Sequence, residues 1–168
     1  MKTKQIIFLL LVFFKISAQV NNEKEIQLVL KKDIVGKEFI FDKSNKEEVY
    51  KLELTYFGAI KTNKRKTLKI LISSTFRGLK YSPHQSCAIF IYDKNNSFQG
   101  YYSVGDYTDL PEKIKGKNLI FSYKENKDCD PKAITKINFQ NGCPKEIFLI
   151  CKNGFGNIYP FHTEKYLY

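Results

Sequence analysis

The chain runs to 168 residues, with 28 Lys or Arg against 17 Asp or Glu and a formal charge of +11. That length suits one domain around one core and leaves no room for a large multidomain enzyme. The charge directs attention to anionic partners, yet only Arg65 and Arg77 among the cations are Arg; bidentate phosphate recognition favours Arg, so nucleic acid is disfavoured.

Met1-Lys2-Thr3-Lys4-Gln5 is a short cationic stretch, and residues 6–14 follow without a charge until Lys15. A cationic start before a short apolar run is the layout of a secretory signal peptide. As a helix the run spans about 14 Å, roughly half of a bilayer core, too short for a permanent anchor. Small Ser17 and Ala18 place cleavage close to residue 19, and no cysteine adjoins for lipid attachment. The expected organisation is a signal peptide over 1–19 and a single β-rich domain over 20–168, secreted or periplasmic, with no membrane span after cleavage. Loss of Lys2, Lys4 and Lys15 takes the formal charge from +11 to +8.

Past the leader, short alternating runs replace helical period. Ile26, Leu28 and Leu30 alternate with Gln27, Val29 and Lys31, and Phe39 and Phe41 flank Ile40. Tyr50, Leu52, Leu54 and Tyr56 repeat the pattern, as do Leu68, Ile70 and Ile72. A period of two marks half-buried strands. The continuous apolar run 87–92 predicts a central strand. Asp93-Lys94-Asn95-Asn96 has turn chemistry, so 97–104 returns as the partner strand of a β-hairpin. Asp109-Leu110-Pro111-Glu112 resembles a helix start, Asp as cap and Pro in the first turn, which predicts one short helical turn. Segments 118–123, 134–139 and 146–150 predict an up-down-up meander, and 158–161 a last strand. The expected fold class is all-β: a single-domain antiparallel β-sandwich or small barrel of about nine strands, with at most one short helical turn.

Cys87, Cys129, Cys143 and Cys151 form an even set in an exported chain, which predicts two disulfides. None of the spacings is Cys-x-x-Cys, and only His84 lies near, so no zinc site is expected. In a meander Cys129 and Cys151 fall at one end of the sheet and Cys143 at the other. A strand spans about 17–20 Å while bridged Cα atoms lie within about 7 Å. The expected pairs are therefore Cys129 with Cys151 and Cys87 with Cys143.

Groups able to carry chemistry are few. His84 sits between Ser82 and Ser86 in a predicted loop without a Gly-x-Ser-x-Gly elbow, and His162 reads as a surface residue. Asp106, Asp109 and Glu112 crowd one loop, as a calcium site or a glycosidase acid pair would; an ordinary polar loop ending in a helix cap describes them as well and is preferred. Tyr101, Tyr102 and Tyr107 flank that loop, either as a platform for a sugar ring or partner protein, or as ordinary strand filler. Lys61, Lys64, Arg65 and Lys66 crowd a predicted hairpin tip, either to contact phosphate or sulfate groups or as a solvated tip whose charge reflects composition. The binding candidates are therefore Lys61, Lys64, Arg65, Lys66, Tyr102, Tyr107 and Asp109. No metal or cofactor is expected. The expected function is a non-catalytic binding, inhibitor or immunity-type protein of the cell envelope, monomeric or weakly associated, whose partner is an envelope or extracellular protein or an anionic polymer. The alternative is a secreted hydrolase acting on envelope polysaccharide or peptide through Asp106, Asp109 or Glu112 with His84; a structural surface component is a third.

Overall fold

The computed structural model describes residues 22–124 and 126–164, so the leader expected at 1–19 lies outside the described residues. The elements are α1 (Glu23–Lys32), β1 (Glu38–Asp42), β2 (Glu48–Lys61), β3 (Thr67–Leu79), β4 (Ser82–Tyr92), β5 (Phe98–Val104), a 3-10 turn (Tyr107–Asp109), β6 (Lys113–Lys115), β7 (Asn118–Ser122), β8 (Ile134–Asn138), β9 (Glu146–Lys152) and β10 (Phe155–His162). The fold is mostly β, as the alternation requires. One antiparallel sheet runs β1-β2-β3-β4-β5-β10-β9 and a second runs β6-β7-β8; neither closes into a barrel.

Both faces of the large sheet bury apolar side chains. On one face Ile70, Ile89 and Tyr102 pack against Leu119 and Phe121 of the small sheet and against Phe139. On the other, Leu52, Leu54, Leu71 and Phe90 lie under Ile26, Val29 and Leu30 of α1. Full burial of each such side chain contributes about 1.5–3 kcal/mol.

The helix replaces the strand expected over 26–30, and it is longer than a single turn. Ile26, Val29 and Leu30, spaced i, i+3, i+4, are its buried residues, while Leu28 is exposed. Glu23 and Glu25 stand in the first turn and Lys31 and Lys32 in the last, each sign opposing the helix dipole. Asp33 stops the helix in the left-handed conformation, its N–H donated to the Val29 carbonyl.

Three further expectations shift. The helical turn lies earlier, at Tyr107–Asp109, with Asp106 as its cap. His84 belongs to β4, where it pairs with Arg77, and not to a loop. The meander stops after two of its three strands: β8 pairs with β7, whereas β9 pairs with β10 in the other sheet. Between β8 and β9 a side chain bridges the gap, the Thr135 hydroxyl accepting the Ile150 N–H at 3.1 Å.

Two backbone irregularities shape the large sheet. At Phe57, β2 carries an extra residue, because Tyr56 pairs with Leu71 and Gly58 with Ile70. Such a bulge shifts side-chain parity: Leu52, Leu54 and Tyr56 face the helix, while Ile60 faces the small sheet. At Gly100, with φ 148°, a Cβ would overlap the Phe161 ring and the His162 carbonyl oxygen. Only glycine lets β10 close onto β5 there.

Cys129 and Cys151 are joined, with Cα atoms 4.6 Å apart. The second expected bridge is corrected, since Cys87 and Cys143 are free thiols. Cys87 is fixed mid-sheet by ladder partners Ser74 and Val104. Cys143 is fixed on the β8–β9 connection, where the Tyr102 hydroxyl donates to the Pro144 carbonyl at 2.8 Å. The ladder holds one backbone and the β8–β9 connection the other, and the sulfurs they carry are not joined. Burial pushes both thiols up to about 11, which keeps them protonated and unreactive near neutrality. Thiol titration should count two sulfhydryls per chain in denaturant without reductant. Native protein at neutral pH should label slowly, Cys143 ahead of fully buried Cys87; a count of zero or four would contradict this arrangement.

Candidate functional site

The basic residues stand where the sequence places them, at the tip between β2 and β3. The Thr62 N–H bonds the Lys66 carbonyl at 2.9 Å, and the Thr62 hydroxyl accepts the Lys66 N–H at 3.1 Å. Arg65 turns the chain in the left-handed conformation. Less foreseeable is what meets this tip. The Asn63 N–H donates to the Gln140 carbonyl at 2.7 Å, and Lys117 donates through Nζ to Asn63 Oδ1. Those two contacts bring the β6–β7 turn and the end of β8 alongside. Lys115 and Lys117 thereby join Lys61, Lys64, Arg65 and Lys66 in one exposed group.

Among the described residues no carboxylate forms an ion pair with this group. The stretches 54–92 and 113–124 contain neither Asp nor Glu. Among the described residues the Lys partners in ion pairs are Lys43, Lys51, Lys69, Lys113 and Lys124, none of them in the group. Lys69 pairs with Asp33 and sits over the Tyr56 ring, on the helix side. Six cations confined to one end raise a local positive potential that attracts anions.

The acidic loop is built differently, because each of its carboxylates is already engaged. Asp106 Oδ1 accepts the Thr108 N–H at 2.7 Å and its hydroxyl at 2.6 Å. Asp109, 6% exposed, accepts the Tyr123 hydroxyl at 3.0 Å and the Tyr159 hydroxyl at 2.5 Å. Burial, and after it the Asp109 carboxylate, hold both phenols well above their usual range, so they remain donors. A Cβ at Gly105 would stand 2.7 Å from Asp109 Oδ2, which leaves glycine to close the loop. Glu112 takes bonds from Ser122 at 2.7 Å, Lys113 at 3.1 Å and Lys124 at 3.3 Å. These bonds, Ser122 foremost, hold its carboxyl down at about 2.

Asp109 is thus a buried latch and not an exposed binding group. Tyr102 is likewise interior, fully buried and edge-on to Phe139, so it offers no platform. His84, exposed on β4 opposite Arg77, joins none of the three carboxylates. Among the described residues no cluster of three His, Cys, Asp or Glu side chains could hold a metal ion. His162 stacks on Tyr101 with ring centroids 5.0 Å apart.

Tyr107 alone of the candidate tyrosines is exposed, at 55%. With Leu110 it walls two open cavities. The larger, about 420 Å³, lies over the large sheet against Thr55, Ser74, Phe76 and Gln85. The smaller, about 300 Å³, lies toward Pro111, Ser122 and Asn126. Sequence reasoning missed the polar side of the larger one because its residues come from β2, β3 and β4, far apart in the chain.

No protein family, curated protein or solved structure matches this chain.

Proposed function

We propose that this chain is an exported, non-catalytic binding domain that engages an anionic partner through its basic end. The observation that carries the proposal is the convergence of the β2–β3 tip, the β6–β7 turn and the end of β8, which gathers six cations with no carboxylate among them. The sequence places no acid over 54–92 or 113–124, so those segments bring the group no charge of opposite sign. Lysine's flexible point charges suit a repeating anionic polymer better than one rigid phosphate geometry. Export is supported by the cationic-then-apolar leader in the sequence and by the Cys129–Cys151 bridge, which oxidising compartments favour. No helix among the described residues is long and apolar enough to cross a membrane.

The test is retention on an immobilised sulfated or phosphorylated polymer, followed by titration across salt concentration. Four contacts with the polymer should weaken binding by about 50-fold between 50 and 200 mM salt. The triple variant Lys64→Glu, Arg65→Glu, Lys66→Glu should lose nearly all of that affinity while melting at an unchanged temperature, since the side chains are exposed. Retention equal to the parent chain would overturn the proposal.

A further inference from the structure

The paired cavities either side of Tyr107 carry a second site, independent of the basic end. From Lys61 at the tip to Thr55 in the larger cavity, β2 runs six residues, about 20 Å of strand. The cavity's polar groups are of a particular kind. Glu53 lines one wall and is neutralised by the Lys51 ammonium at 2.6 Å, which lies 5.7 Å from the centre of the Phe76 ring. Gln85 Nε2 donates to the Ser74 hydroxyl at 2.8 Å. The Thr55 hydroxyl has no side-chain partner among the described residues and opens into the cavity.

Adjacent neutralised donors and acceptors match vicinal hydroxyls, which each give and take one hydrogen bond. The Phe76 and Tyr107 rings supply apolar surface of the size of a pyranose ring's C–H face. Glu38 on the same wall repels an anion, and the Thr55, Ser73, Ser74 and Gln85 side chains beside it are a poor host for a lipid chain. The volume lies in the range of small-molecule sites. Because Tyr107 and Leu110 line both cavities, a ligand of two linked rings would straddle them.

We propose that this bipartite cleft binds a neutral oligosaccharide, one pyranose ring over Phe76 and the next across Tyr107 toward Ser122 and Asn126. The experiment is saturation-transfer NMR on the full processed protein at 500 mM salt, which silences the basic end. The probes are neutral disaccharides of glucose, galactose, mannose and N-acetylglucosamine, with spermidine as a cationic control. At least one disaccharide should receive saturation on its ring protons, with calorimetry giving millimolar affinity. Tyr107→Ala and Phe76→Ala should each weaken it at least tenfold, and the Lys64, Arg65, Lys66 charge-reversal variant should leave it unchanged. Transfer to no disaccharide, transfer to spermidine alone, or affinity untouched in both aromatic variants with unaltered melting would each overturn the assignment. A parent chain that binds saccharide but shows no salt-sensitive polymer binding would refute the basic-end proposal and leave this one standing.

Discussion

Replacing Asp109 by Ala should cost about 4 kcal/mol of folding stability and about 10 °C of melting temperature. The carboxylate accepts the hydroxyls of buried Tyr123 and half-buried Tyr159; its loss removes two bonds to a charged group, about 1.5–3 kcal/mol each, and strands Tyr123. A buried donor without a partner costs about 1–3 kcal/mol, and 1 kcal/mol moves the melting temperature of a chain this size by about 2–4 °C. Asp109→Asn should lose about half as much, because an amide oxygen serves one phenol and its N–H donates to the oxygen of the other. Tyr123→Phe and Tyr159→Phe should each cost about 1 kcal/mol. Urea unfolding of the four variants measures this ladder. An Asp109→Ala protein as stable as its parent would show that the carboxylate is not a latch and would reopen the acidic loop as a site for chemistry.

Removing the Cys129–Cys151 bridge by paired substitution to Ser should cost about 3 kcal/mol. The bridge closes a loop of sequence separation 22, and constraint of the unfolded chain by a loop of that length accounts for the figure. It ties the segment after β7 to the end of β9, and therefore joins the two sheets where they share few ladder bonds. Thermal unfolding without reductant, compared between parent and double variant, checks the value. A shift under 2 °C would mean that packing alone holds the sheets together.

Much of the sheet was legible because a period of two leaves a trace that few other structures mimic. β2 and β5 lie where alternation and turn residues put them, while β3 and β4 run beyond the predicted 68–72 and 87–92 to Thr67–Leu79 and Ser82–Tyr92. α1 was not, for an instructive reason: Ile26 and Leu30 fit both a strand face and a helix face, so Val29 and Leu28 decide. Val29 is buried and Leu28 exposed, the helical outcome, and the acids before and lysines after the segment were the available signal. Alternation also shows that a strand exists without naming its neighbour, which is why the pattern places β9 beside β8 while the sheet places it beside β10. The Cys129–Cys151 pairing does not depend on that neighbour, since Cys129 follows β7 and Cys151 lies at the far end of β9 in either arrangement.

The basic tip was visible as a cluster of letters, but its enlargement by Lys115 and Lys117 depends on contacts through Asn63 that no local pattern encodes. The Asp109 latch was hidden for the same cause. Its donors stand 14 and 50 residues away in the chain, and a carboxylate in a polar loop gives no sign of burial. The two free thiols show the limit of counting: an even number of cysteines permits two bridges without requiring them.

The surplus residue at Phe57 divides one uninterrupted hairpin into two mechanical sections. Below it, the strand is committed to the helix; beyond it, the same strand rests on the smaller sheet and carries the cationic turn outward. The exposed residues 63–66 can therefore be exchanged without touching the side chains that the proximal section packs on the helix.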